Sequence, residues 1–324
     1  MSASSKSLSV LAQQYLRERR RLGFDLHHMG QALHSFTRYA DRLKCRPVTL
    51  EVMAEWARRD HGHSTDPRTW ARRLKNLRPF MRWLQQFEPR TEVPDDTIFG
   101  PIGGRTAPHI YSEEETGQLL RAAGQLAPAL RGATYATLFG LLLCTGLRVS
   151  EAIRLRNADV DLKTGVLTVR RTKFAKYRHV PLHPTALEEL RRYRRSRDRW
   201  ITPTEESTFF VGSRGRRRGQ PLTRRSVDRV LRAVCTDLRW PNRGTHHAPR
   251  VHDLRHTFAV RRILAWQREG TDIDQAMLAL STYLGHAMVT NTYWYLSGVP
   301  ELVGLAGKRF ESRMAPGSEG TSHA

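Results

Sequence analysis

Apolar residues recur every three or four positions along most of the chain, a spacing that predicts helices rather than strands. In the first third it predicts four, over about 7–22, 26–44, 49–60 and 66–87. Thr49 and Asp66 are placed to cap the third and fourth, and Pro67 suits a first helical turn, where its missing N–H removes no bond. The fourth helix is the clearest. Trp70, Leu74, Leu77, Met81 and Leu84 step by four and three, which gathers them into one stripe that must be buried. Arg68, Arg72, Lys75 and Arg82 repeat that spacing on another face. Such a face is either simply solvated or tracks a line of phosphates. From Glu88 to His109 the periodicity stops, because Pro89, Pro94, Pro101 and Pro108 with Gly100, Gly103 and Gly104 bar a continuous helix or central strand. The expected organisation is a helical domain over 1–88, a linker over 89–109, a second domain over 110–312 and a disordered tail over 313–324.

In the second domain Ser112 and Glu115 form a capping box that starts a helix near 113. A strongly apolar helix follows over about 131–144, and Gly146 ends it in a left-handed position. Arg148 then falls in the turn before a short helix carrying Glu151; an arginine ordered there either meets an anion or forms a surface pair with Glu151 worth about 0–1 kcal/mol. Val166–Val169 and Arg178–Leu182 read as paired strands, with Lys173 and Lys176 in the basic turn between them. A helix over about 184–199 buries Leu187, Leu190 and Tyr193 and shows six arginines, and Thr223 opens another running to about Leu238. The arginine- and glycine-rich loop from Ser213 to Gly219 has no evident chemical role. Beyond them, His252 to Tyr295 is expected to form a few short helices, and Pro300 to Phe310 an amphipathic one.

Charge changes the picture. The 324 residues hold 54 Lys+Arg against 31 Asp+Glu, a net charge of +23, and the sequence pI is near 11.0. Such an excess repels itself unless a polyanion offsets it, which points to nucleic acid over a merely soluble basic protein. Cys45, Cys144 and Cys235 are an odd set without paired spacing, arguing against a disulfide framework or structural zinc and fitting a reducing cytoplasm. No apolar run reaches the ~18 residues of a membrane span.

The candidate chemistry gathers late in the chain. His252 and Arg255, three apart, share a helical face. His252 and His256, four apart, raise a metal reading, but Asp253 stands where zinc proteases have glutamate, and Arg255 between the histidines favours a phosphate over a cation. His246 and His247 lack a carboxylate or cysteine to complete a ligand set. Leu284-Gly285-His286 and Tyr293-Trp294-Tyr295 add a histidine and two phenols. On a helix Tyr293 and Tyr295 point about 200° apart, so only one can face a common site.

Arg148, Lys173, His252-x-x-Arg255, Leu284-Gly285-His286 and a tyrosine nine residues later stand in an order that resembles the tyrosine recombinase (phage integrase) family. The resemblance covers about 110–310 by motif; the first third is similar to the family's core-binding domain only in pattern. It implies a mainly α fold with a small β-hairpin or sheet: a helical core-binding domain and a mixed α+β catalytic domain. It makes Tyr295 the nucleophile on a DNA phosphate, leaving a 3′-phosphotyrosyl bond and a free 5′-hydroxyl. Arg148 and Arg255 would clamp the non-bridging oxygens, His252 and His286 would donate hydrogen bonds and handle the phenol proton, and Lys173 would protonate the leaving oxygen. A phenol titrates near pH 10, so it needs such cationic help at neutral pH. The arginines and lysine take over what a divalent ion does elsewhere, so neither metal, cofactor nor ATP is implied. The implied partners are double-stranded recombination sites and a tetramer, homo- or heteromeric, with the C-terminal helix docked on a neighbouring subunit, in a bacterial cytoplasm and with no membrane. Arg68, Arg72, Lys75, Arg82 and Lys176 are further candidates for DNA contact. Two features depart from the family: an apparent insertion around Gln267-Arg268-Glu269-Gly270, and Tyr293 as a second possible nucleophile. A topoisomerase using the same chemistry and a catalytically silent DNA-binding protein are the alternatives.

Overall fold

A computed structural model describes residues 6–59, 64–103, 106–170, 177–241, 243–244, 246–286 and 288–298. Lys173, Lys176, the helix expected over 300–310 and the tail expected over 313–324 lie outside the described residues. The chain divides into two compact units, residues 1–104 and 105–324. No helix among the described residues is long and apolar enough to cross a membrane.

The first unit holds α1 (Leu8–Arg21), α2 (His27–Arg42), α3 (Leu50–Arg59) and α4 (Pro67–Gln85). Asp66 caps α4 by accepting from the Arg68 N–H, with Pro67 in the first turn. Asp41, near the end of α2, accepts from the Leu8 and Ser9 N–H groups and so satisfies the start of α1. Leu74, Leu77, Met81 and Leu84 of α4 are buried as their spacing requires, against Tyr15, Leu33, Phe36 and Trp56. Each such side chain contributes on the order of 1.5–3 kcal/mol over leaving it exposed.

The proline-rich stretch expected to be a linker over 89–109 differs in the structure. Thr91 is buried, and Val93, Ile98 and Phe99 pack on the core of the first unit. Arg78 of α4 donates to the Pro94 carbonyl at 2.7 Å and pairs with Asp96. At the other end His109 is buried in the second unit, beside Glu115. The prolines do prevent a helix, but the apolar residues between them still seek cover on the first unit.

The second unit contains α5 (Glu113–Gly124), α6 (Ala129–Thr145), α7 (Val149–Ala152), β1 (Val160–Asp161), β2 (Val166–Val169), β3 (Arg178–Pro181), α8 (Pro184–Asp198), α9 (Arg224–Leu238), α10 (Val251–Arg268), α11 (Ile273–Leu284) and α12 (Thr290–Gly298). The strands form one antiparallel sheet in the order β1-β2-β3, with Leu167 opposite both Val160 and Val180. This mainly helical chain with a small sheet is the expected fold class. α6 is apolar on nearly every side and is wrapped by α5, α8 and α10. The apparent insertion at 267–270 completes α10 and the turn after it, with Gly270 at φ 71°.

One expectation fails on α8. Of the six arginines over 184–199, five face outward or lie half-buried, but Arg197 is 0% exposed. It donates to the Phe209 carbonyl at 2.7 Å and to Asn157 Oδ1 at 2.8 Å, pairs with Asp198, and lies over the Phe209 ring. Charge counts alone could not separate this arginine from its neighbours. Arg197→Ala should destabilise the chain by about 3 kcal/mol or more, because it strips partners from buried acceptors, while exposed Arg195→Ala should stay within about 0.5 kcal/mol. Urea unfolding of the two variants checks this, and equal midpoints would count against it.

Candidate active site

The residues from His252 onward do not form a few short helices. α10 runs unbroken for 18 residues and carries His252, Arg255 and His256 on successive turns. Its start is held by Asp253, whose carboxylate accepts from the Arg250 backbone N–H at 2.8 Å and pairs with the Arg250 guanidinium. Arg255 points inward and is 2% exposed. It donates to the Gly146 carbonyl at 2.7 Å and to the Leu284 carbonyl at 2.9 Å.

Those two carbonyls terminate α6 and α11. Gly146 and Gly285 close the helices in the left-handed conformation, at φ 60° and 66°, where residues with a Cβ are strained. A Cβ on Gly146 would also stand 2.4 Å from the Phe258 ring. Unpaired carbonyls at helix ends carry partial negative charge and suit a cation. Arg148 uses the same device, donating to the Gly285 carbonyl at 2.9 Å. The two guanidinium groups therefore meet at adjacent residues of one helix end. Burial and then the charge of Arg148 lower the Arg255 pKa to about 10, which still leaves it cationic at neutral pH.

Arg148 is further held by Glu151, which accepts from its backbone N–H and its guanidinium, both at 2.9 Å. This is not the surface pair that spacing alone allows. Glu151 is buried and is gripped from the other side by Arg178 of β3, with contacts of 3.1 and 2.8 Å. Burial acts to raise the Glu151 pKa, but Arg178 and then Arg148 outweigh it and hold the group at about 2.

Tyr295 and Tyr293 separate as the helical angle requires. Tyr295 is 2% exposed, whereas Tyr293 is 37% exposed and donates to Asp274. The Tyr295 hydroxyl lies 3.0 Å from His256 Nδ1. The His256 ring meets the His252 ring edge-on, with centroids 4.6 Å apart. His286 Nδ1 lies 2.7 Å from Thr292 Oγ1. His252 is exposed at a cleft, yet desolvation by the surrounding protein, and then Arg255 and Arg250, push its pKa down to about 4. At pH 7 it is a neutral ring with one N–H to donate. His252 and Arg148 line a cleft with Arg224, Arg232 and Arg250, and with Asp228 on its wall.

Of the residues singled out from sequence, the structure gathers Arg255 and His252 of α10, Arg148 and His286 beside the ends of α6 and α11, and Tyr295 of α12, which meets α10 through His256. Lys173 and Lys176 lie outside the described residues. Arg68, Arg72, Lys75 and Arg82 are exposed on α4 of the first unit, while Arg73 of that helix lies over the Trp56 ring and Arg78 is tied to residues 94–96. Sequence reasoning missed three members of the cluster: Arg178, Glu151 as a buried anchor, and His256 as a partner of Tyr295. The capping spacing of Glu151 is the one local signal; the other contacts span 27 and 39 positions.

Comparison with known proteins adds the following. Residues 111–299 match the model of the phage integrase family. A protein of Sinorhizobium fredii described as an integrase/recombinase, y4rB, is 35% identical over 93% of this chain and 96% of its own length. Tyrosine recombinase XerC of Chlorobaculum parvum is 31% identical over 79% of this chain and 77% of its own. Among solved structures, the integrase of transposon Tn1549, in complex with transposon right-end DNA, superposes with a TM-score of 0.65 at 17% identity, covering 96% of this chain and all of that one. XerH recombinase bound to palindromic difH gives 0.61 at 19%, covering 94% and 85%.

The Glu151 carboxylate generates a pH prediction. Its folded-state pKa lies below the ordinary 4.5, so its stabilisation is present above that value and is lost as pH falls toward about 2. Glu151→Gln should cost about 3 kcal/mol at pH 7. Its gap to wild type should narrow when urea unfolding is repeated at acid pH; a gap that is equally wide there contradicts the assignment.

Proposed function

This chain belongs to the phage integrase family, and from that premise we propose that it is a site-specific DNA recombinase that cuts and rejoins strands through Tyr295. The observation that carries the reading is the meeting of Arg148 and Arg255 at the ends of α6 and α11, with His252 open to a basic cleft beside them. Two cations held that close repel each other, and a phosphodiester bridging them relieves the repulsion while matching the fork of each guanidinium.

In the proposed step the Tyr295 oxygen attacks phosphorus and the bond to the 5′-oxygen breaks. Tyr295 is left esterified to the 3′-phosphate, and Lys173, through its ammonium, gives a proton to the departing 5′-oxygen. Arg148 and Arg255 hold the non-bridging oxygens, and His252 donates a hydrogen bond as charge builds on them. His286, at the end of α11, takes up the phenol proton as the new bond to phosphorus forms and returns it when the phenol is released. A 5′-hydroxyl from a second duplex then attacks the phosphotyrosine and releases the phenol, so the energy of the original bond is kept. The exposed stripe Arg68, Arg72, Lys75 and Arg82, with Lys176, contacts the DNA backbone. Four subunits act on two duplexes, the segment after Tyr295 docking on a neighbouring copy, and the reaction serves integration or transposition of a mobile element in a bacterial cytoplasm.

Incubation with nicked duplex suicide substrates, denaturing gels and peptide mapping tests this reading. A covalent adduct is expected on Tyr295, absent in Tyr295→Phe and kept in Tyr293→Phe. Arg255→Ala should slow adduct formation by about 10²–10³. An adduct that maps to another residue, or none with wild type, overturns the reading.

A further inference from the structure

Sequence spacing uses His256 only as one half of a rejected metal pair, and assigns the phenol proton to His252 and His286. In the structure it is His256 that meets the phenol. Its Nδ1 is 3.0 Å from the Tyr295 hydroxyl, and the rings sit 5.5 Å apart at 66°. Trp294 packs against it with centroids 5.8 Å apart, and on its other side it abuts His252, one helical turn earlier and open to the cleft. His286, by contrast, has its Nδ1 turned to Thr292.

We infer that His256 is the positioning residue of the nucleophile: its Nδ1 accepts the hydrogen bond of the Tyr295 hydroxyl and fixes where that oxygen begins its attack. The inference rests on Tyr295 being the nucleophile. Burial, and then the neighbouring His252 and Arg250, hold the imidazole far below its ordinary pKa and therefore neutral. A neutral ring protonated at Nε2 presents a lone pair at Nδ1, which is what a buried hydroxyl needs. Such a ring is a weak base, so His256 sets position and does not take up the proton. Position matters steeply, since displacing a reacting atom by about 1 Å costs on the order of 100-fold in rate.

Two variants separate position from packing and from proton uptake. His256→Phe keeps an aromatic ring against His252 and Trp294 but removes the acceptor. His256→Asn sets an amide oxygen close to where Nδ1 stands. Single-turnover adduct formation on a nicked suicide duplex, at saturating DNA, should fall by about tenfold or more in His256→Phe and return to within about threefold of wild type in His256→Asn. Duplex affinity should be unchanged in both; the melting temperature should fall modestly in His256→Phe, which leaves the buried hydroxyl without that acceptor, and stay near wild type in His256→Asn. A His256→Phe protein that forms adduct at the wild-type rate overturns the inference. So does a His256→Asn protein as slow as His256→Phe, which would mark proton uptake, or an Arg197→Ala protein, destabilised away from the phenol, that loses as much rate, which would mark packing alone. Wild-type protein that forms no adduct overturns the parent reading of Tyr295, and this inference falls with it; adduct in wild type undiminished in His256→Phe removes this inference alone.

Discussion

Two helix ends close on two guanidinium groups, and much of the second unit is arranged to allow it. α6 and α11 both stop at a left-handed glycine, which turns the chain sharply and leaves carbonyls pointing into the interior. Those carbonyls carry the negative ends of the helix dipoles and would be costly if buried without donors. Arg255 and Arg148 supply the donors. A buried guanidinium would in turn be costly without acceptors. Each group thus removes the penalty of the other, and the net result is two cations fixed close together. Burial first, and then their mutual repulsion, lowers the pKa of Arg255. That repulsion is what an anion set between them would relieve.

Glu151 extends the same logic to the sheet. A buried ion pair is weak evidence of net stability, since desolvation consumes much of the attraction. Its value here lies in orientation. The carboxylate fixes Arg148 on one side and Arg178 on the other, and Arg178 sits at the end of β3, opposite Val169 of β2. The register of the hairpin and the direction of Arg148 are therefore set together. Lys173 belongs to the connection between those two strands, so the strand pairing that places Arg178 also frames the lysine segment. A slip of one residue would turn Arg178 to the opposite face and release Glu151.

Much of this was legible in the sequence, for identifiable reasons. Helices announce themselves through local periodicity and caps, so α1 to α6 and the Asp66 and Ser112 caps could be read from neighbouring residues. The order of Arg148, His252, Arg255, His286 and Tyr295 was legible because the chemistry demands rare residue types at particular intervals. Contacts between distant segments left no such trace. Nothing near Arg197 marks it as buried, and nothing near Arg178 points to Glu151, 27 positions away. The proline-rich stretch misled for a related reason: proline forbids a helix but does not forbid packing, and Val93, Ile98 and Phe99 found a surface that no local rule could reveal.

The two tyrosines illustrate how packing resolves what spacing leaves open. About 200° of helical rotation separates Tyr293 from Tyr295, so a face of α12 that buries one leaves the other outside. The buried one carries a hydroxyl, and a hydroxyl cannot be buried alone without cost. α10 answers with His256, the residue directly after Arg255 and so rotated about 100° from it. One helix thereby serves three surfaces: Arg255 reaches the ends of α6 and α11, His252 faces the cleft, and His256 turns to α12. The phenol and the paired guanidinium groups are bound to the same rigid rod, within one turn of each other. A 2% exposed ring is shielded from solvent, and the His256 bond fixes where its hydroxyl rests. The resting position of that hydroxyl is thus set by the His256 bond and the aromatic contacts around it, on the same helix that carries Arg255 to the ends of α6 and α11.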